Sequence, residues 1–144
     1  MKTTILKYFS VFGIYFIIDA SYQFMFGIKF SRTVQEEAGI SDIFATDIQN
    51  PVLILIWFIL MTIAIVKLAV EPAVEAKSIK RAAFNGLLLG LTAYATLALP
   101  NGWSIVDYPI ALVLEVVIEG MLFSPAASIF TTWWLINKAN TLKE

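Results

Sequence analysis

Two glutamates one helical turn apart, Glu115 and Glu119, lie within an apolar run of the chain. Residues four apart on a helix share a face, so both carboxyls would project in the same direction. Acids in this arrangement can relay protons, bind a cation or an amine, or hydrogen-bond to neighbouring helices. The choice between these chemistries depends on the surroundings of the pair.

The composition indicates that these surroundings are a lipid bilayer. Of the 144 residues, 59% are hydrophobic and 15% are charged, and the mean hydropathy is +0.80. Soluble domains average about 45–50% apolar and about 25% charged residues. The apolar residues form runs of about 20, the length that crosses a hydrocarbon core of about 30 Å. The bilayer is therefore the expected partner, and a net charge of −1 provides no basic surface for nucleic acid.

The apolar runs predict one membrane domain with four spans. The predicted spans are residues 8–28, 51–70, 82–99 and 109–136. The polar and acidic stretch 31–50 is predicted to be an outer loop, and Pro100 followed by Asn101 and Gly102 predicts a turn after the third span. We therefore expect an all-α fold, a four-helix transmembrane bundle that includes the whole chain.

Basic residues are distributed unevenly between the two ends of these spans. An even number of spans places both termini on one side of the membrane. Eight of the ten lysines and arginines fall on that side, and Lys29 and Arg32 fall on the other. Because cytoplasmic loops carry an excess of basic residues, both termini are predicted to be cytoplasmic, in an inner membrane of bacterial type.

Counting along the spans places several polar residues at similar depths. Asp19, Thr92 and Glu119 fall near the middle of their spans, and Glu115 lies about 6 Å further out. On each of the first and third spans, further polar residues lie together on one face of the helix. The predicted intramembrane polar cluster consists of Asp19, Glu115, Glu119, Tyr15, Tyr22, Gln23, Thr92, Tyr94 and Thr96.

The sequence places no cation beside these acids, because Lys67 lies about 18 Å from the middle of the membrane by residue count. An ionised carboxylate at mid-bilayer costs roughly 2.5–3.5 kcal/mol. Burial and a neighbouring acid both favour the neutral form of a carboxyl. We therefore expect at least one of the acids to be protonated at neutral pH and to donate a hydrogen bond.

Three interpretations of the acids remain open. They could hold helices together by hydrogen bonds, line a path for protons, cations or an amine-bearing substrate, or act as acid or base on a lipid-soluble substrate. The chain has no cysteine and no histidine, and its sequence shows no nucleophile–base set or metal cluster. We therefore predict no catalytic residue, metal ligand or cofactor, and do not favour an enzyme.

Small residues repeat at four-residue spacing in the third span, at Ala82, Gly86 and Gly90. Such a row lets two helix backbones approach closely in a membrane. We therefore predict that these three residues form a helix packing face.

Short motifs in three of the spans form a recognisable pattern. They are Ile18-Asp19-Ala20 in the first span, Tyr94-Ala95-Thr96 in the third and the acid Glu115 in the fourth. This pattern resembles domain-of-unknown-function family 2177, whose members look like four-span bacterial membrane proteins with Leu-Asp-Ala, Tyr-Ala-Thr and fourth-span acid motifs. The resemblance implies the membrane location and the fold, and it implies no established activity.

The chain departs from the family pattern at three places. Ala98 stands where the family has an aspartate, and Pro100 where it has a threonine. Glu119-Gly120 falls where the family has Trp-Gly. The resemblance therefore points to Glu115 as the shared acid and to Glu119 as particular to this chain.

These observations lead to an expected role and an alternative. We expect a small integral membrane protein that is a structural, accessory or interaction subunit of a membrane assembly. Its partners would be other membrane-protein subunits or further copies of itself. The alternative is a proton- or cation-coupled small transporter that uses Asp19, Glu115 and Glu119.

Overall fold

The structure, a computed structural model, describes residues 2–41, 51–105 and 107–141, which are almost entirely helical. The helices are α1 (Lys2–Tyr22), α2 (Ile28–Glu37), α3 (Pro51–Ala64), α4 (Glu71–Glu75), α5 (Ile79–Ser104) and α6 (Ile110–Thr141). Two wider π-helical segments, named π1 (Gln23–Gly27) and π2 (Ile65–Val70), join α1 to α2 and α3 to α4 without a break. Residues 42–50 of the predicted outer loop lie outside the described residues.

Four continuous helical rods are long and apolar enough to cross a bilayer. They are Ile5–Glu37, Pro51–Glu75, Ile79–Ser104 and Ile110–Ala139. The shortest has 25 residues, or about 37 Å of helix, whereas a hydrocarbon core is about 30 Å thick. The prediction of an all-α protein with four transmembrane helices is confirmed, and the chain is a multi-pass membrane protein.

All four rods extend beyond the predicted spans, and two of them enter stretches where a loop or a turn was predicted. The first continues through α2 to Glu37, into the stretch where an outer loop was predicted to begin. α5 passes through Pro100 and ends at Ser104. Proline removes one backbone donor, but transmembrane helices tolerate it where nearby groups satisfy the freed carbonyls. The carbonyl that Pro100 leaves without its donor is that of Thr96. Further along, Ser104 Oγ donates to the Pro100 carbonyl at 2.6 Å, which stabilises the last turn of α5.

The most extensive helix contact in the fold joins α5 to α6, and glycines bring the two backbones together. Gly86 lies against Pro125, and Gly90 lies against the backbone of Gly120. A methyl group added at either position of α5 would overlap these atoms. Lipid provides no hydrophobic force between helices, so this close approach supplies the van der Waals contact that holds the pair.

α6 contributes its own row of small residues to this contact. Gly120, Ser124 and Ser128 follow at four-residue spacing, and all three are buried. Ser128 Oγ donates to the Ser124 carbonyl of its own helix at 2.7 Å, which hides the hydroxyl from lipid. The packing face predicted on the third span therefore has a counterpart on the fourth, which the sequence interpretation did not identify.

Aromatic side chains fill the contact between α1 and α3. The Phe58 ring meets Phe12, Tyr15 and Phe16 at centroid distances of 5.3 to 6.2 Å, in edge-to-face arrangements. Such pairs contribute about 0.5–1.5 kcal/mol each beyond the area that they bury. Buried apolar residues extend the core from this layer to the end of the bundle at Leu135. They include Val11, Met61, Ile65, Val66, Val70, Phe123 and Ala127.

Ion pairs join two rods at that end of the bundle. Glu71, the first residue of α4, contacts Lys7 Nζ at 2.8 Å and Lys67 Nζ at 3.0 Å. All three side chains are partly exposed, so solvent screens these pairs and they contribute little to stability. The pairs place the start of the first rod beside the end of the second, as antiparallel neighbours.

The glycine contact predicts a specific sensitivity of the fold. Gly90→Ala should lower the free energy of unfolding by roughly 1–3 kcal/mol, because the new methyl group would overlap the Gly120 carbonyl and force α5 away from α6. The measurement is unfolding in a denaturing detergent titration, followed by the fluorescence of the four tryptophans.

Gly13→Ala is the matched control. A methyl group at Gly13 of α1 would meet nothing within 4 Å, so this variant should unfold like the parent chain. Equal losses of stability in the two variants would show that helix-backbone approach at Gly90 is not what stabilises the bundle.

Candidate functional site

Polar side chains of the first rod meet the two glutamates of α6 at one level of the bundle. This group, named the polar cluster, consists of Asp19, Tyr22, Gln23, Ser31, Glu115 and Glu119. Glu115 and Glu119 are only 8% and 7% exposed. The structure thus brings together the polar line predicted on the first span and the acid pair of the fourth.

Glu115 accepts a hydrogen bond on each of its carboxylate oxygens. Tyr22 Oη donates to Oε1 at 3.2 Å, and Ser31 Oγ donates to Oε2 at 2.9 Å. The two donors come from different helices, α1 and α2, on either side of π1. Both oxygens of this buried carboxyl therefore have a hydrogen-bond partner.

Glu119 lies one helical turn deeper and makes a different contact. Gln23 Nε2 donates to Glu119 Oε1 at 3.0 Å, and the half-buried Asp19 is the nearby acid of α1. Among the described residues, no hydrogen bond or ion pair reaches the Asp19 carboxyl, and Lys7 and Lys67 pair with Glu71 at the far end of the bundle. Three acids therefore share one site with no cation paired to them in this part of the chain.

The full length of the fourth rod changes the depth of the cluster. The middle of Ile110–Ala139 falls between Ser124 and Pro125. Glu119 is then about 8 Å from the middle, and Glu115 about 14 Å, both toward the end that begins at Ile110. Half of a hydrocarbon core is about 15 Å, so a bilayer centred on this rod would place Glu115 close to the boundary with the lipid headgroups.

The π1 segment allows one carboxylate to receive both donors. Tyr22 and Ser31 are nine residues apart, so a regular α-helix would place them about 180° apart, on opposite faces. A π-turn inserts roughly one extra residue and shifts the following helix by about 100° around its axis. Ser31 is thereby brought to within about 80° of Tyr22, and both hydroxyls reach Glu115.

Gly27 closes π1 and provides room for the donors. It is buried, and a methyl group at this position would overlap the side chains of Gln23 and Tyr22. These side chains therefore lie across the bare face of the glycine as they extend toward α6. Sequence reasoning missed Gly27 and Ser31, since a π-turn has no composition signal and Ser31 falls at the start of the predicted outer loop.

A pair of tyrosines lies directly below the cluster. Tyr15 of α1 and Tyr94 of α5 share a hydrogen bond between their hydroxyls, and both rings are buried. The Tyr94 side chain lies against Gly120, the residue after Glu119. The tyrosine pair and the Phe58 ring beside it separate the polar cluster from the apolar core beneath.

The structure places Thr92 and Thr96 away from this group. Both residues are exposed, and Thr96 Oγ1 donates to the Thr92 carbonyl of its own helix at 2.7 Å. Thr92 lines a shallow surface groove with Asn85 and Leu68, where Asn85 Nδ2 donates to the Leu68 carbonyl within π2 at 3.0 Å. This bond satisfies a backbone group of the second π-helical segment.

The arrangement supports hydrogen bonding and cation recognition better than covalent chemistry. Within the residues that the structure describes, no group of three histidine, cysteine, aspartate or glutamate side chains is placed to hold a metal ion. The hydroxyls of Tyr22 and Ser31 donate to a carboxylate and have no general base of the imidazole or amine type beside them. The carboxylates offer further acceptor positions to a donor or a cation.

Fold and site together define a class of protein. The chain is a small all-α, multi-pass membrane protein whose buried carboxylates link its first and last transmembrane rods. Among families it belongs to DUF2177, described as predicted membrane proteins, whose family model matches residues 4–133, nearly the whole chain. The resemblance seen in the sequence is thereby confirmed. No curated protein and no solved structure matches the chain.

The hydrogen bond between Ser31 and Glu115 predicts a measurable contribution to stability. Ser31→Ala should lower the free energy of unfolding by about 0.6–1.7 kcal/mol, because it removes an inter-helix donor from a buried carboxylate. Detergent unfolding monitored by tryptophan fluorescence provides the measurement.

Thr33→Ala is the control, two residues further along α2. The Thr33 hydroxyl is exposed and donates to the Lys29 carbonyl of its own helix, so its removal should change stability by a few tenths of a kcal/mol at most. A Ser31→Ala variant as stable as Thr33→Ala would contradict the role given to the Ser31 hydroxyl.

Proposed function

We propose that the chain is an accessory or interaction subunit of a membrane assembly. The observation that carries this proposal is the exposed outer end of α3. All six residues 51–56 are exposed in the structure, including Leu53, Ile54, Leu55 and Ile56, which are 40–62% exposed. We name this surface the α3 patch.

The α3 patch lacks the packing that positions a helix in a bundle. Leu53, Ile54, Leu55 and Ile56 cover one full turn, so among the described residues every side of this turn leaves much apolar surface exposed. A helix in a bundle normally buries an apolar stripe at least about 100° wide. Small-residue contacts are what usually position transmembrane helices in a bundle. A transmembrane helix of a neighbouring subunit would supply them.

The distribution of charge supports an orientation for the subunit. Lys7, Lys67 and Lys138 lie at the end of the bundle where Glu71 begins α4, and the basic turn before α5 belongs to the same end. The opposite end has Lys29 and Arg32. By the excess of basic residues on the cytoplasmic side, we place both termini in the cytoplasm and the chain in a bacterial inner membrane.

Because of the three acids, proton- or cation-coupled transport is a second candidate function. Asp19, Glu115 and Glu119 form a site without a paired cation among the described residues, and intramembrane acids often serve transport. Transport requires access to the site from both sides of the membrane in turn. On the cytoplasmic side of the cluster, the described interior holds the apolar core from Tyr15 to Leu135 and a few buried hydroxyls, with no buried charged residue, which favours the subunit role.

A photo-crosslinking side chain at Leu55 tests the subunit role. Leu55 should give a discrete crosslinked product in intact membranes, because the proposed neighbour covers the α3 patch. Leu122 of α6, equally lipid-facing at 58% exposed, is the matched position and should give none. A product of twice the chain mass would identify a second copy, and another mass a different subunit.

Two results together would contradict the subunit role and favour transport. One is a chain that gives no crosslink at Leu55 and purifies as a monomer in mild detergent. The other is a proton flux in proteoliposomes that the change Asp19→Asn abolishes. The absence of flux alone would leave the crosslink as the deciding measurement.

The orientation has a separate test, which the absence of native cysteine makes simple. Cysteine introduced at the exposed positions Glu37 and Ala76 lies at opposite ends of the bundle. A membrane-impermeant maleimide added to spheroplasts should label the Glu37→Cys variant, and should label Ala76→Cys only after lysis. The reverse pattern would place the termini outside.

A further inference from the structure

A groove opens toward the lipid between the first rod and α6. It has a volume of about 330 Å³ and is lined by Tyr22, Phe30, Ala111, Leu114, Glu115 and Ile118. Five of these six residues present carbon surface, and Leu114 and Ile118 are each 52% exposed along the side of α6. The groove is therefore an apolar channel along the protein surface with a single carboxylate in its wall.

Glu115 gives the groove one acidic contact at a defined depth. The Glu115 residue is 8% exposed, and the donors Tyr22 and Ser31 hold its carboxylate in place. A carboxylate has about four acceptor positions, and these donors use two. Because Glu115 lines the groove, a further donor that enters from the groove would bind at the remaining positions.

The depth of Glu115 matches that of a lipid headgroup. It lies about 14 Å from the middle of the fourth rod, near the boundary of the hydrocarbon core. From Glu115, the side chains of Ile118 and the exposed Leu122 follow along α6 toward the middle of the membrane. A molecule with its polar group at Glu115 would therefore lay an apolar chain along α6 in the direction that acyl chains take in a bilayer.

We propose that this groove binds a phospholipid whose headgroup carries a primary ammonium. The ammonium would donate to the open acceptor positions of Glu115, and an acyl chain would lie against Leu114 and Ile118. Charge complementarity selects this occupant, because no cation of the described residues pairs with Glu115. An ion pair with hydrogen bonds is also the usual way for a protein to satisfy a buried carboxylate.

The same geometry discriminates between lipid headgroups. A primary ammonium has three N–H donors, whereas a trimethylated ammonium has the charge and no donor. A glycerol headgroup has hydroxyl donors and no positive charge. The groove should therefore prefer phosphatidylethanolamine to phosphatidylcholine and to phosphatidylglycerol.

Native mass spectrometry of the full chain tests the preference. The protein is reconstituted in nanodiscs that contain equal parts of phosphatidylethanolamine, phosphatidylcholine and phosphatidylglycerol, and the lipid retained after release is identified. Phosphatidylethanolamine should be retained about tenfold over each of the others, the scale of one charge-assisted hydrogen bond.

Two variants assign that retention to the groove. Glu115→Gln removes the charge, and Ala111→Leu fills the groove while leaving Glu115 and its donors unchanged; both should abolish the preference. Ala20→Leu is the matched control, because Ala20 is exposed on α1 and does not line the groove. It should retain the lipid like the parent chain. Ala111→Leu keeps the test valid even if Glu115→Gln proves too unstable to purify.

Three outcomes would overturn the proposal. Equal retention of the three lipids would show that the groove does not recognise the headgroup. An unchanged preference in the Ala111→Leu variant would place the lipid elsewhere on the protein. Binding of added dodecylamine at Glu115 without retention of phosphatidylethanolamine would assign the groove to single-chain amines rather than to a bilayer lipid.

Discussion

A carboxylate inside a bilayer must find its hydrogen-bond donors within the protein, because lipid tails supply none. In this chain the donors for Glu115 and Glu119 come from the first rod, through Tyr22, Gln23 and Ser31. The first and last transmembrane segments are joined by these bonds across 80 to 100 residues of sequence. The position of the first rod against α6, and hence the shape of the outer half of the bundle, depends on satisfying these two acids.

The π-turn in the first rod follows from this requirement. A straight helix would turn Ser31 away from α6 and leave one Glu115 oxygen without its donor. The wider turn at Gln23–Gly27 has poorer backbone geometry, and π-turns are rare for that reason. A buried carboxylate bonded on both oxygens offsets that cost, and Gly27 removes the side chain that would obstruct the donors. The irregular stretch of helix and the buried acid therefore depend on each other.

The two halves of the bundle are stabilised in different ways. Toward Leu135, apolar and aromatic side chains fill the interior, and α5 meets α6 along glycines and serines. Toward Ile110, polar contacts replace this packing, and both the lipid-facing groove at Glu115 and the α3 patch lie at this end. The candidate binding surfaces therefore lie at the end of the bundle where internal packing is least complete. In many proteins the binding regions are likewise the less stable ones.

Local sequence patterns are enough to predict the class of fold. Local periodicity is enough to interpret the apolar runs of bilayer length, the proline and charged residues at their ends, and the row of Ala82, Gly86 and Gly90. The four membrane-spanning helices follow from these patterns. The sequence also singled out Asp19, Glu115 and Glu119, since an acid in an apolar run is conspicuous. Only the tertiary structure decided which donors these acids receive. A π-turn brings Ser31 and Gly27 into the site, whereas Thr92 and Thr96 face outward. The direction in which a side chain points depends on the register and rotation of its helix. Register and rotation are set by contacts between distant segments, which no local pattern records.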